Sequence, residues 1–149
     1  MIAGNETRRI RRALESIAGW TAEIIVVLND DVNDGTDKIA AGFGAKVFRE
    51  PWKGHIAQKN SAAQKANSDW ILGLDADEAV SPELRGEIEQ LFAEPEKLQS
   101  CAAWRFPRRK NHLSHFPGKR IVAGGFAGGG RSHHTGSRPF SERKSMWRF

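Results

Sequence analysis

Apolar residues fall in two alternating rhythms along the first hundred positions. Ile10, Ala13, Leu14, Ile17 and Ala18 recur at i, i+3, i+4, i+7 and i+8, with arginines on the other side, which predicts an amphipathic helix over 6–19. Gly19 is its natural stop. Glu23 to Leu28 is instead a continuous, β-branched run, the pattern of a strand buried on both faces in a parallel sheet. After a polar loop, Ile39, Ala40 and Phe43 share one face of a short helix over 36–43, with Asp34 as its cap and Gly44 as its end. A short strand at 45–49 and a turn at Pro51–Gly54 follow.

Residues 56–67 are alanine-rich and favour a helix. Trp70 to Leu74 predicts a second buried strand, which runs straight into Asp75-Ala76-Asp77-Glu78. Ser81 and Pro82 begin a helix with Leu84, Ile88, Leu91 and Phe92 on its apolar face. A further strand is expected over 101–106. Helices and strands alternating in this way predict an α/β domain around a largely parallel sheet. The periodicity ends near Ile121, so 1–121 reads as a domain and 122–149 as an irregular Gly- and Arg-rich tail.

Charge sharpens that division. The chain carries a formal +5, but residues 1–103 hold 12 Lys/Arg against 17 Asp/Glu, while residues 104–149 hold 11 Lys/Arg and one acid, Glu142. A basic segment of this kind suits anionic lipid or other phosphates, or is simply a solvated tail. No nucleic-acid-binding signature accompanies it, so no specific nucleic-acid partner is expected. No stretch reaches the roughly 18 apolar residues of a membrane span, and Met1–Glu6 is not a leader. The single cysteine, Cys101, has no partner for an internal disulfide. A reducing cytoplasm is therefore the expected compartment, with peripheral attachment at the inner membrane through the basic tail as a variant.

Two acidic clusters fall where a parallel sheet places its ligands, beyond the carboxyl ends of strands. One is Asp30, Asp31 and Asp34; the other is Asp75, Asp77 and Glu78. Carboxylates at i and i+2 just past a strand can turn toward one hard cation, Mg²⁺ or Mn²⁺. A cation bridging two phosphates neutralises the charge that builds on a diphosphate leaving group. Acidic residues also end strands merely because the chain is returning to water, so the motif needs its context. His133-His134, an adjacent pair in the glycine-rich tail, has poor spacing for a metal site. Trp52 and Trp70 are expected to pack rather than to form sugar platforms.

Several ordered pieces together resemble glycosyltransferase family 2, the nucleotide-diphospho-sugar transferases of the GT-A fold. They are Asn5-Glu6 before the Arg-rich helix, Asn29–Thr36 after the first buried strand, Gly54-His55-Ile56-Ala57-Gln58-Lys59-Asn60, and Asp69 through Glu78. The combination of Pro51-Trp52-Lys53-Gly54, Gln58-Lys59-Asn60 and Leu74-Asp75-Ala76-Asp77-Glu78 is similar to a subgroup of lipopolysaccharide-core glucosyltransferases. The resemblance covers about residues 3–110. It implies a Rossmann-like α/β half-domain that binds a UDP-sugar and Mg²⁺ or Mn²⁺. Asn5, Glu6, Asp30 or Asp31, Lys59, Asn60 and Asp75 would lie at the nucleotide, with Asp75 and Asp77 at the metal. Glu78 would be a supporting acid. The reaction implied is inverting transfer to a glycan or lipid-linked acceptor.

The ends depart from the family. Only Met1-Ile2-Ala3 precedes Gly4-Asn5-Glu6, so most of the usual first strand is missing. Past the acidic motif the family continues with an acceptor site and a general base, whereas Gly118–Phe126 here leads to nothing recognisable and no catalytic base is assigned. A truncated or frameshifted, weakly active or inactive form is the expectation. Two alternatives stand beside it. A haloacid dehalogenase-like phosphohydrolase would use Asp75 as nucleophile and Asp77 as acid, but that family places Thr or Val where Ala79 stands. A non-catalytic fragment would use the basic tail to bind nucleic acid or membrane.

Overall fold

The computed structural model describes residues 1–100, 103, 104 and 106, and the backbone of 144–146. The described chain forms two compact units, Met1–Ser68 with Leu74–Arg85, and Asp69–Gly73 with Gly86–Phe149. The fold class is α/β with a parallel sheet, as the alternating pattern predicts.

In the first unit the order is β1 (Ile2–Ala3), α1 (Ile10–Glu15), β2 (Ile25–Asn29), α2 (Thr36–Gly42), β3 (Lys46–Glu50) and α3 (His55–Gln64). The strands form one parallel sheet in the order β1-β2-β3. β2 is the middle strand because its side chains are apolar on both faces: Val26, Val27 and Leu28 are fully buried and Ile25 nearly so. Five residue pairs join β2 to β3, from Ile25 with Lys46 to Asn29 with Glu50. Exposed Lys46 and Arg49 mark β3 as the strand that meets solvent.

The first strand is short but in place. Ile2 and Ala3 pair with Val27 and Leu28, and the Val27 N–H donates to the Met1 carbonyl at 3.0 Å. The first helix is shorter than its apolar pattern suggests. Residues 6–9 form a turn in which the Glu6 carbonyl accepts from both Arg9 and Ile10 N–H at 2.9 Å. Its far end is closed by side chains. The Trp20 indole N–H donates to the Ser16 carbonyl at 2.9 Å and the Thr21 hydroxyl to that of Ile17 at 3.0 Å. Ile17 stays buried although it lies beyond the helix, which is why the i+7 signal extends past the regular turns.

At the amino end of β2, Glu23 holds the sheet to the segment that leaves α3. Its carboxylate accepts from Lys46 at 2.9 Å, from the Ser68 N–H at 3.3 Å and from the Asn67 N–H. Burial alone would raise this acid, but the Asn67 N–H and the Lys46 ammonium outweigh it and hold its pKa below the ordinary value.

Residues 74–85 complete the first unit. Leu74, Ala76, Glu78 and Val80 are buried, and the Val80 N–H donates to the Ser16 hydroxyl at 3.0 Å.

In the second unit, the strand expected at 70–74 is β4 (Trp70–Leu72). It pairs in parallel with β5 (Lys144–Met146) in a two-stranded sheet, with Trp70 opposite Lys144 and Leu72 opposite Met146. β5 falls inside the segment 122–149 expected to be irregular; most of that segment, His133 and His134 included, lies outside the described residues. So does most of the strand expected at 101–106, and the three described positions there have no regular structure. α4 (Pro82–Ala93) buries Ile88 and Leu91, while Phe92, expected on the apolar face, is 46% exposed and meets Trp70 edge-on at 6.2 Å. A short α5 (Pro95–Gln99) follows, with Pro95 in its first turn and Leu98 buried. The sequence pattern gives no period for so short a helix. No helix among the described residues is long and apolar enough to cross a membrane.

The central position of β2 has a direct consequence. Leu28→Ala should lower the unfolding free energy by about 2–5 kcal/mol in urea denaturation, the range for a fully buried large-to-small change. A loss below about 0.5 kcal/mol would mean that β2 is not the packed centre of the sheet.

Candidate functional site

The carboxyl end of β2 opens into the loop 30–35, and its acids divide into two kinds. Asp34 and Asp37 are engaged internally. One oxygen of Asp34 accepts from the Thr36 hydroxyl at 2.6 Å and the Thr36 N–H at 3.0 Å; the other accepts from the Thr7 N–H at 3.4 Å. The residue at the α2 cap position is Gly35, at φ 92°, rather than the expected Asp34. That left-handed backbone lets the loop turn so that Asp34 reaches over the start of the helix, so it still satisfies an N–H there. These bonds, led by the Thr36 hydroxyl, hold the Asp34 carboxyl below its ordinary pKa. Asp37 is likewise lowered, first by its hydrogen bond from Arg49 at 2.8 Å.

Asp30 and Asp31 are of the other kind. Both are exposed, and neither side chain has a hydrogen bond or ion pair among the described residues. They line an open depression of about 540 Å³ together with Asn33, Lys38 and Arg49. The backbone beneath them is fixed: the Asp30 N–H donates to the Glu50 carbonyl at 3.0 Å, and Val32 is buried. Arg49 clasps the same loop, donating to the Val32 carbonyl at 2.6 Å and the Asp30 carbonyl at 3.4 Å. The choice between Asp30 and Asp31 stays open on geometry, since both are presented.

Asn5 and Glu6 follow the carboxyl end of β1 and border this loop. The Glu6 N–H donates to the Thr36 hydroxyl at 3.0 Å, so one threonine links both loops. Asn5 is exposed, whereas the Glu6 carboxylate is engaged by Arg9 at 2.7 and 2.9 Å.

The second acidic cluster projects by alternation. Leu74, Ala76, Glu78 and Val80 point inward; Asp75 is partly exposed and Asp77 exposed. The Glu78 N–H donates to the Asp75 carbonyl at 3.0 Å, closing a turn, and the Glu78 carboxylate accepts from the Asp75 N–H at 3.2 Å. Glu78 is thus buried, with its carboxylate bracing the Asp75 turn. Lys59, from α3, reaches Asp75 directly at 2.9 Å. Two residues picked out separately in the sequence are therefore one ion pair. The neighbouring Asn60 is exposed.

The Asp75 carboxylate already faces a cation, and Asp77 is open beside it. This oxygen donor set suits Mg²⁺ or Mn²⁺. No cluster of three or more His, Cys, Asp or Glu side chains that could hold a metal occurs among the described residues. Any such ion would take its remaining ligands from water and phosphate.

Two residues around this site carry no motif signal, Arg49 and Glu50, and a third, Gln58, was marked only as part of the Gln58-Lys59-Asn60 piece. Glu50, the last residue of β3, accepts from Lys65, from Ser61 at 2.7 and 2.9 Å, and from Lys53 at 3.0 Å. Lys65 first, then Ser61 and Lys53, lower its pKa to about 2. Gln58 is fully buried; its side-chain oxygen accepts from the Lys53 N–H at 3.3 Å, and its Nε2 has no partner among the described residues. Together they fix the turn 51–54 at the start of α3. A charged residue closing a strand just before Pro51 was the one available hint. Trp52, expected to pack, is 48% exposed and touches His55 edge-on at 4.8 Å.

A parallel sheet with polar loops and acids gathered past its strand ends is the arrangement of a nucleotide-binding α/β domain. The chain belongs to glycosyl transferase family 2, whose profile matches residues 1–144. An uncharacterized glycosyltransferase of Rickettsia typhi is 46% identical over 93 residues, 62% of this chain and 32% of the relative. The lipopolysaccharide core biosynthesis glycosyltransferase LpsC of Rhizobium meliloti is 31% identical over 114 residues, 73% of this chain and 40% of that protein. The SPbeta prophage-derived glycosyltransferase SunS of Bacillus subtilis is 32% identical over 93 residues, 61% of this chain and 22% of the relative. The chain therefore spans between a fifth and two fifths of the length of these relatives. No solved structure matches it.

The Glu50 cluster sets a pH dependence. Its carboxyl is depressed from 4.5 to about 2, so its stabilising contribution is complete above about pH 4.5 and is lost as pH falls through about 2. Glu50→Gln should be less stable than wild type at pH 7, and the gap should narrow at pH 3. An equal gap at both pH values in urea denaturation would contradict this assignment.

Proposed function

We propose that this chain supplies the donor-binding part of an inverting glycosyltransferase that uses a UDP-sugar. The observation that carries the reading is the pairing of Asp75 with Lys59 beside the open Asp77, in a chain of this family. Asp30 or Asp31 accepts hydrogen bonds from the uracil imide or ribose hydroxyls, and the depression they line is where the nucleoside enters. Asn5 supports the nucleotide from the β1 loop, Asn60 from α3, and Lys59 offsets phosphate charge. Asp75 and Asp77 hold Mg²⁺ or Mn²⁺, which when bound would neutralise charge developing on the diphosphate leaving group. Glu6, engaged with Arg9, orders the β1 loop rather than meeting the ligand itself.

The acceptor hydroxyl attacks the anomeric carbon in one displacement as the bond to the diphosphate breaks, inverting the configuration. The attacking hydroxyl needs a positioned base, and no described residue is assigned that role. A glycan or lipid-linked acceptor of the lipopolysaccharide type agrees with the name of the Rhizobium meliloti relative. We place the reaction on the cytoplasmic side of the inner membrane, where the basic segment 104–149 would meet anionic lipid. Family membership gives the phosphohydrolase alternative no support.

Calorimetry checks the donor assignment. With Mn²⁺ present, UDP should bind more tightly than ADP, and Asp77→Ala should lose metal-dependent UDP binding while keeping its circular dichroism spectrum. Equal UDP affinity in wild type and Asp77→Ala would remove Asp77 from the metal site.

A further inference from the structure

The Lys59–Asp75 ion pair carries more than a place for each residue. Lys59 reaches Asp75 from α3, and the pair is only partly exposed, at 22% and 41% for the two side chains. The ammonium nitrogen lies 2.9 Å from Oδ1 of Asp75. It thus occupies a carboxylate oxygen that a small divalent ion would approach to about 2.1 Å. Two cations do not share one exposed carboxylate oxygen cheaply, because their repulsion is not offset until another anion arrives. Asp77, by contrast, is exposed and makes no ion pair among the described residues.

We infer that Lys59 is the resident counter-cation of the Asp75–Asp77 site, and that donor binding proceeds by exchange of partners. The diphosphate draws the ammonium off Asp75, and the freed carboxylate turns to the divalent ion. The inference rests on the donor-binding reading for the diphosphate step, but its metal step can be measured without any nucleotide.

Three consequences follow from charge alone. The metal by itself binds weakly, because it must displace Lys59. UDP by itself binds weakly, because its phosphates face two carboxylates and Lys59 is already engaged. Each ligand therefore raises the affinity for the other, as reciprocal linkage requires. An ordinary surface ion pair with no part in the site would leave Mn²⁺ binding unchanged when Lys59 is neutralised.

The test is titration of the chain with Mn²⁺ alone, followed by electron paramagnetic resonance of the free ion, in wild type, Lys59→Met, Lys59→Arg and the double variant Lys59→Met/Asp75→Asn. Lys59→Met should bind Mn²⁺ roughly two- to fivefold more tightly than wild type, the factor a partly exposed ion pair can carry. Lys59→Arg, which keeps a cation at Asp75, should stay near wild type, and the double variant should lose the gain. In the presence of Mn²⁺, Lys59→Met should bind UDP more weakly. Lys59→Gln, which retains a polar side chain, serves where Lys59→Met alters the circular dichroism spectrum. Unchanged, weaker or undetectable Mn²⁺ binding in the folded neutral variant would overturn the exchange. If wild type binds no UDP even with Mn²⁺, the donor-binding reading fails, while the comparison with Mn²⁺ alone still decides whether Lys59 competes for Asp75.

Discussion

Burial of β2 on both faces is the constraint from which the rest of the first unit follows. Val26, Val27 and Leu28 have no exposed surface, so every polar function of that strand is displaced to its ends. At the amino end Glu23 anchors the segment leaving α3. At the carboxyl end the chain must turn back toward α2, and that turn carries Asp30, Asp31 and Asp34. A parallel sheet brings the carboxyl ends of β1 and β3 to the same side. The Asn5–Glu6 loop and the turn into α3 therefore border the same region. The position of the site is a consequence of strand direction before it is a consequence of any particular acid.

Electrostatics then sorts the acids. Those with fixed donors hold the scaffold: Asp34 joins two loops through Thr36 and Thr7, Asp37 takes Arg49, and Glu50 gathers Lys53, Ser61 and Lys65. Their lowered pKa values mark carboxylates already satisfied by the protein. Asp30, Asp31 and Asp77 stay open to solvent, and Asp75 pairs with a lysine. A ligand carrying hydroxyl or imide donors at one end and a metal-bound diphosphate at the other matches this division.

The regular elements of residues 1–50 were legible because each is governed by a short-range rule. A β-branched apolar run became β2, and an apolar stripe followed by glycine became α2. Where helix α1 begins depended instead on the turn made by Glu6, which no periodicity reports. Partner strands were harder still. Trp70–Leu72 has the composition of an interior strand, yet its parallel partner is Lys144–Met146, more than seventy residues away and without any local pattern to announce it. Among site residues, Asp75 and Lys59 were visible through motif order, but their direct contact is a tertiary fact. Arg49 and Glu50 were invisible as site residues, because charged positions on a solvent-facing strand look the same whether or not they clasp a loop.

The central claim is that the acids after β2 and the acids at 75–77 serve one ligand. Amide NMR of the isotopically labelled chain tests it most directly, with Mn²⁺ as a paramagnetic probe added together with UDP. Broadening should centre on Asp75 to Glu78 and extend to the loop 30–34, leaving the amides of Glu23, Asn67 and Ser68 at the opposite end of the sheet sharp. Broadening centred on those three residues, or spread evenly over the chain, would contradict the account.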